Sequence, residues 1–170
     1  MTTSQRKILT LAHPPKAQDA IALLRADHKL VSGLFDTYEK TNTKVLKKKL
    51  VSQICMELTV HAQVEEEIFY PAIKQALKEH APQDPSHKDH ALVPEAMVEH
   101  DTLKALIAQV EGVEPDGEMF DAKIRVLSEY VHHHVTEEQN EMFVKAKASA
   151  LDMVALGAKI AARKQALTAK

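Results

Sequence analysis

His61-Ala-Gln-Val-Glu65 and His134-Val-Thr-Glu-Glu138 each set an imidazole and a carboxylate at i and i+4. That spacing stacks both groups on one face of a helix, where together they can grip a metal ion. Asp27-His28 stands thirty-three residues before His61, counted from His28, and Glu99-His100 stands thirty-four before His134. The chain therefore repeats one unit twice: an acid-His pair, a long gap, then H-x-x-x-E. Two helical hairpins of this kind, folded into a four-helix bundle, would put four histidines and two glutamates in one core.

The elements that must position these residues are helical. Four Gly, no Trp and abundant Ala, Leu, Lys and Glu in 170 residues indicate an all-α domain long enough for a sizeable core. Residues 1–16 read as a tail closed by Pro14-Pro15, residues 17–147 as the bundle, and residues 148–170 as an accessory C-terminal helix. The first helix is expected from about Asp19, its N-cap, to about Lys40, with Ile21, Leu24, His28, Val31, Phe35 and Tyr38 on one stripe. After a Thr41-Asn42-Thr43 turn, the second carries Val51, Ile54, Leu58, His61, Glu65 and Ile68, until Pro71 kinks or ends it within a turn or two. Residues 80–94 read as a loop whose His80, His87 and His90 are surface residues. A third helix, with Ala96, His100, Leu103 and Ile107 on its stripe, continues to about Val110. A fourth carries Phe120, Ile124, Leu127, Val131, His134 and Glu138. Ser149-x-x-Asp152 resembles a capping box opening the fifth, which presents Met153, Leu156, Ile160 and Leu167.

His28, His61, Glu65, His100, His134 and Glu138 thus stand where a bundle core expects Leu or Val. Burying an unpaired carboxylate costs several kcal/mol, so each glutamate needs a compensating charge. A pair of divalent or trivalent cations supplies it, with neutral imidazoles as nitrogen ligands and bridging carboxylates. Metal-free His-Glu hydrogen bonds are the alternative, but they do not call for matched spacing in both halves. His133 also has a glutamate four residues on, Glu137; the stripe and the repeat both select His134. A ferritin-type site needs two E-x-x-H motifs, and the sequence offers one, Glu129 to His132.

A net charge of −2 gives no general attraction to nucleic acid or an anionic membrane. No apolar run approaches the roughly 20 residues of a membrane span. A single Cys55 precludes an internal disulfide, and with no convincing signal peptide the expected location is cytoplasmic. The Lys47-Lys48-Lys49 run reads as a solvated face.

Asp27-His28, HAQVEEEIFYP (61–71), Glu99-His100 and HVTEEQNEMF (134–143) resemble the HHE cation-binding domain of hemerythrin-like proteins. The resemblance covers roughly residues 19–147. It implies an up-down four-helix bundle around a non-haem di-iron centre, two iron ions joined by an oxo or hydroxo bridge. His28, His61, His100 and His134 would be terminal ligands, with Glu65 and Glu138 as bridges. The stretch with Leu156-Gly157 and Ala161-Ala162-Arg163 is similar to the C-terminal extension of some bacterial members.

One departure bears on function. Oxygen-carrying hemerythrins bring a fifth histidine one turn from the third-helix ligand; here those turns hold Ala96 and Lys104. They also place the last carboxylate five residues after its histidine, whereas Glu138 follows His134 by four. Two imidazoles per iron leave room for exchange, which favours turnover over reversible oxygen carriage. The expected function is a centre that reacts with hydrogen peroxide, oxygen or nitric oxide, catalase-like or detoxifying, in a monomer or homodimer. The alternative is iron or oxygen binding, storage or sensing without turnover.

Overall fold

The computed structural model describes residues 18–80 and 88–169. The tail expected over residues 1–16 and the loop residue His87 lie outside them. Seven α-helical segments follow in order: α1 Ala20–Lys40, α2 Lys44–Val64, α3 Tyr70–His80, α4 Leu92–Ala108, α5 Gly117–Glu137, α6 Phe143–Ala148 and α7 Met153–Thr168. No strand occurs among the described residues. A five-residue π-turn, Glu65–Phe69, joins α2 to α3, and a second, Glu138–Met142, joins α5 to α6, so each pair runs as one long helix.

Four long helices result, and each packs on its neighbours in the ring α1, α2, α4, α5. The expected N-cap at Asp19 is present, its carboxylate accepting the Ala22 N–H at 2.7 Å. Gly112 and Gly117 take positive φ of 69° and 74° in the connection between α4 and α5, a backbone region glycine enters without steric cost. That connection is tied to the start of α2 by Lys44–Asp116 and Lys48–Glu114 ion pairs. Deeper, Lys47 and the Tyr38 hydroxyl both bond Asp121, at 2.7 and 2.6 Å.

The core divides into two apolar clusters. One contains Val31, Phe35, Ile54, Leu58, Leu103, Ile107, Leu127 and Val131. The other contains Ile21, Leu24, Val64, Phe69, Tyr70, Ala96, Met142, Phe143 and Ile160. His28 lies in sequence between Leu24 and Val31, His61 between Leu58 and Val64, and His100 between Ala96 and Leu103. The polar residues therefore form a layer between two greasy ends, each of which removes its helices' apolar stripe from water.

Three details of the sequence reading need correction. Pro71 does not end its helix, which continues to His80, beyond Ala76-Leu77. In a regular helix the proline ring would meet the carbonyl of Glu67, but that carbonyl belongs to the wider π-turn, where Tyr70 N–H reaches back to Glu65. Ser149 is not the N-cap of the last helix: its hydroxyl donates to Ala146 O at 2.7 Å, closing α6. Asp152 is the cap of α7, accepting from Val154 N and Ala155 N at 3.1 and 2.9 Å. Within the expected 80–94 loop, Lys88–His90 form a 3₁₀ turn with a partly buried His90, and α4 begins at Leu92.

The helix α7 packs along α1, α2 and the first π-turn. The close approach is at Gly157, where a Cβ would lie 2.1 Å from the backbone oxygen of Gln18. Two ion pairs finish the contact: Arg163 with Glu67, its Nε 2.6 Å from Oε2, and Lys164 with Asp27. None of the described helices is long and apolar enough to cross a membrane.

Candidate metal centre

All six residues selected by the repeat are buried and meet in one layer. Each histidine turns Nε2 inward. Nε2 of His28 lies 3.0 Å from Nε2 of His61, and Nε2 of His100 lies 3.2 Å from Nε2 of His134. Glu65 reaches both pairs: Oε1 is 3.1 Å from His61 and Oε2 is 3.3 Å from His100. Glu138 Oε2 is 3.2 Å from His28 Nε2. Two overlapping clusters follow, His28-His61-Glu65-Glu138 and Glu65-His100-His134, each compact enough for its donor atoms to hold one ion. Glu65 belongs to both. Glu65 Oε1 and both oxygens of Glu138 are buried without a hydrogen-bond donor. Orphaned carboxylate oxygens beside inward imidazole nitrogens fit a cation, because leaving them bare costs desolvation energy with no return.

The outer nitrogen of every histidine is also held. Asp27 Oδ2 is 3.2 Å from His61 Nδ1, and Glu66 Oε1 is 2.9 Å from His100 Nδ1. Glu99 Oε2 is 2.6 Å from His134 Nδ1, and the Gln139 amide nitrogen, a donor, is 3.0 Å from His28 Nδ1. Each helix thus steadies the histidine of the next around the ring, α1 to α2, the first π-turn to α4, α4 to α5, and the second π-turn back to α1. A carboxylate on Nδ1–H fixes the tautomer that leaves the Nε2 lone pair free for a metal.

The electrostatics of these side chains pull in opposite directions. Burial, then the charge on His61, pushes His28 down to about 3. Burial also opposes charge on His61, but Glu65 and Asp27 outweigh it and lift that imidazole to about 10. Burial likewise opposes the Glu65 carboxylate, yet His61 and His100 hold its pKa well below the usual range. Burial and the adjacent Glu65 charge raise Glu138 well above that range. The Tyr70 hydroxyl, 3.3 Å from Glu65 Oε2 and 3.2 Å from His100 Nε2, is raised by burial and by both glutamates, so it keeps its proton.

The family model for the hemerythrin HHE cation-binding domain matches residues 19–146. The chain belongs to that family. A crystal structure of an HHE cation-binding domain-containing protein from Mycobacterium kansasii superposes with a TM-score of 0.70, covering 88% of this chain and 87% of the other at 20% identity. At that identity the likeness establishes the fold. A protein named DNA nickase, from Nostoc sp. (strain PCC 7120 / SAG 25.82 / UTEX 2576), is 28% identical over 121 residues, 71% of this chain. The match takes in only 31% of the nickase's own length.

In this HHE domain a cavity of about 350 Å³ reaches the layer from the side. All four inward histidines line it, with Leu58, Leu103 and Val131 as apolar wall and Lys104 and Glu66 at its polar edge. Lys104, at the position where a fifth histidine is missing, instead bonds Glu66, Nζ to Oε1 at 2.7 Å. His133 is separate from the layer: its side chain is 60% exposed and lies 3.3 Å from Glu137.

The sequence reading singled out the acid-His pairs without giving their acids a role, and it overlooked Glu66, Gln139 and the hydroxyl of Tyr70. Glu66 and Gln139 do carry a signal, since each directly follows a candidate bridging glutamate in the repeat. Tyr70 aligns with Phe143, which stacks on His28 at a centroid distance of 5.8 Å. One half of the repeat thus presents a hydroxyl to the layer where the other presents a plain ring.

Proposed function

We propose that this HHE domain holds two iron ions and that the centre reacts with hydrogen peroxide, oxygen or nitric oxide in a detoxifying, catalase-like role. His28 and His61 with Glu138 would serve one ion, His100 and His134 the other, and Glu65 both. The observation that carries the reading is the cavity on which all four histidines open. A purely structural site gains nothing from such access, whereas a centre that meets small molecules requires it. When bound, the iron pair supplies electron transfer and Lewis acidity at the inner end of this cavity.

The chain's own groups do the rest. Leu58, Leu103 and Val131 give the cavity an apolar wall that limits water and admits small neutral molecules. Tyr70 keeps its proton and is placed to donate it as a hydrogen bond to Glu65, orienting that carboxylate between the two histidine pairs. Lys104 holds Glu66, and Glu66 holds His100. The nickase name stays with the longer Nostoc protein, since the shared stretch covers under a third of it.

The deciding experiment measures oxygen release from hydrogen peroxide by chain loaded with about two irons, against metal-free chain and free iron at equal concentration. Release well above both controls supports a reactive centre. Full iron loading with no release favours the storage or sensing reading.

A further inference from the structure

We propose that metal cations reach the core through an acidic cleft between α4 and the α5–π-turn helix, separate from the cavity that exposes the four histidines. The inference rests on the reading of the buried layer as a metal centre. The cleft, about 70 Å³, is lined by Glu95, Glu99, Glu137 and Glu141, with His134 and Glu138 at its inner end and Leu92, Ala96 and Met142 as its floor. No lysine or arginine is among these lining residues. Glu138 is the buried end of the path: the residue is 3% exposed, and neither carboxylate oxygen receives a hydrogen bond. A cation drawn to the rim therefore meets progressively more buried carboxylate oxygens and arrives at the carboxyl whose oxygens have no hydrogen-bond partner.

The contrast with the histidine cavity is chemical. The histidine cavity has an apolar wall, and its edge residues Glu66, Glu67 and Asp27 are already paired with Lys104, Arg163 and Lys164. Its negative charges are thus matched, which removes the field that would attract a cation. At the cleft, Glu95 is exposed, Glu137 lies beside His133, and Glu99 lies beside His133 and His134, with no lysine or arginine in the lining. A low-dielectric groove lined by one sign of charge focuses its field and raises the local cation concentration. The cleft and the histidine cavity would then divide the traffic, ions by the first and small neutral molecules by the second.

The test is the rate of metal uptake rather than turnover. Metal-free full-length chain is mixed rapidly with cobalt(II), and the growth of its visible absorption is followed for the native chain and three variants. Glu95→Gln combined with Glu137→Gln, both exposed, should lower the initial rate about threefold or more and flatten its dependence on salt. Final cobalt per chain should be unchanged. Glu95→Lys should slow uptake further with a single surface substitution. Glu67→Gln, at the edge of the histidine cavity, should leave the rate at the native value. Native rates in both cleft variants, or slowing confined to Glu67→Gln, would overturn the route while leaving the metal centre intact. A lower final cobalt content in the cleft variants would also overturn it, because the rim glutamates would then be ligands. A native chain that takes up no cobalt would remove both the route and the centre beneath it.

Discussion

Glu99 Oε2 sits 2.6 Å from His134 Nδ1, while the other ring nitrogen of His134 lies 3.2 Å from His100 Nε2. The carboxylate on α4 accepts the Nδ1 proton and so aims the Nε2 lone pair of a histidine on α5 at the core. Glu99→Ala should weaken metal affinity about tenfold or more, the usual cost of losing such a partner. Glu99→Gln should restore much of it, because the amide oxygen still accepts. Competition against a chelator of known affinity reads both, and equal affinity in Glu99→Ala would remove Glu99 from the account.

His134 and His133 are neighbours in sequence with different fates in the fold, one 3% exposed and the other with a side chain 60% exposed. His134→Ala should strip most bound iron after desalting, and His133→Ala should retain about two irons per chain, as expected of a dinuclear donor set. Metal analysis checks the ranking. The reverse order would make Glu137, not Glu138, the carboxylate of this half.

Metal binding should release protons. Without a cation, burial and the Glu65 charge raise Glu138 well above the ordinary carboxylate range, and His61 is raised to about 10, so His61 carries a proton near neutral pH and Glu138 holds one more readily than a free carboxyl. A metal ligand must be deprotonated, so uptake at pH 7 should expel at least about one proton per chain, and affinity should rise with pH. Calorimetric titration in two buffers of different ionisation enthalpy measures the number directly. Release of none would show that these two groups are not ligands.

Gly157 sets how closely α7 docks. A Cβ at that position would stand 2.1 Å from Gln18 O and 2.9 Å from Ala20 N, and backbone cannot step aside as a side-chain tip can. Gly157→Ala should therefore destabilise the protein by about 1–3 kcal/mol, despite the better helix propensity of alanine. Thermal unfolding gives the net effect. Hydrogen exchange should place the loss in α7, freeing Lys164 from Asp27; a gain in stability would mean that the helix docks differently.

The sequence by itself determined the helices, their buried stripes and the six candidate ligands, because each is written in local spacing. A three-four rhythm fixes which face is buried, and a polar residue inside that rhythm must lie in the core whatever the neighbours are. What the tertiary structure decided depends on contacts between helices. Asp27 precedes His28 but bonds His61, and Glu99 precedes His100 but bonds His134, since adjacent residues on a helix point about 100° apart and reach different partners. The π-turns at Glu65 and Glu138 are equally illegible in advance. Only the second lacks a proline behind it, so proline is not what they share. What they share is a buried glutamate that enters the histidine layer, and that need arises only once the four helices have met.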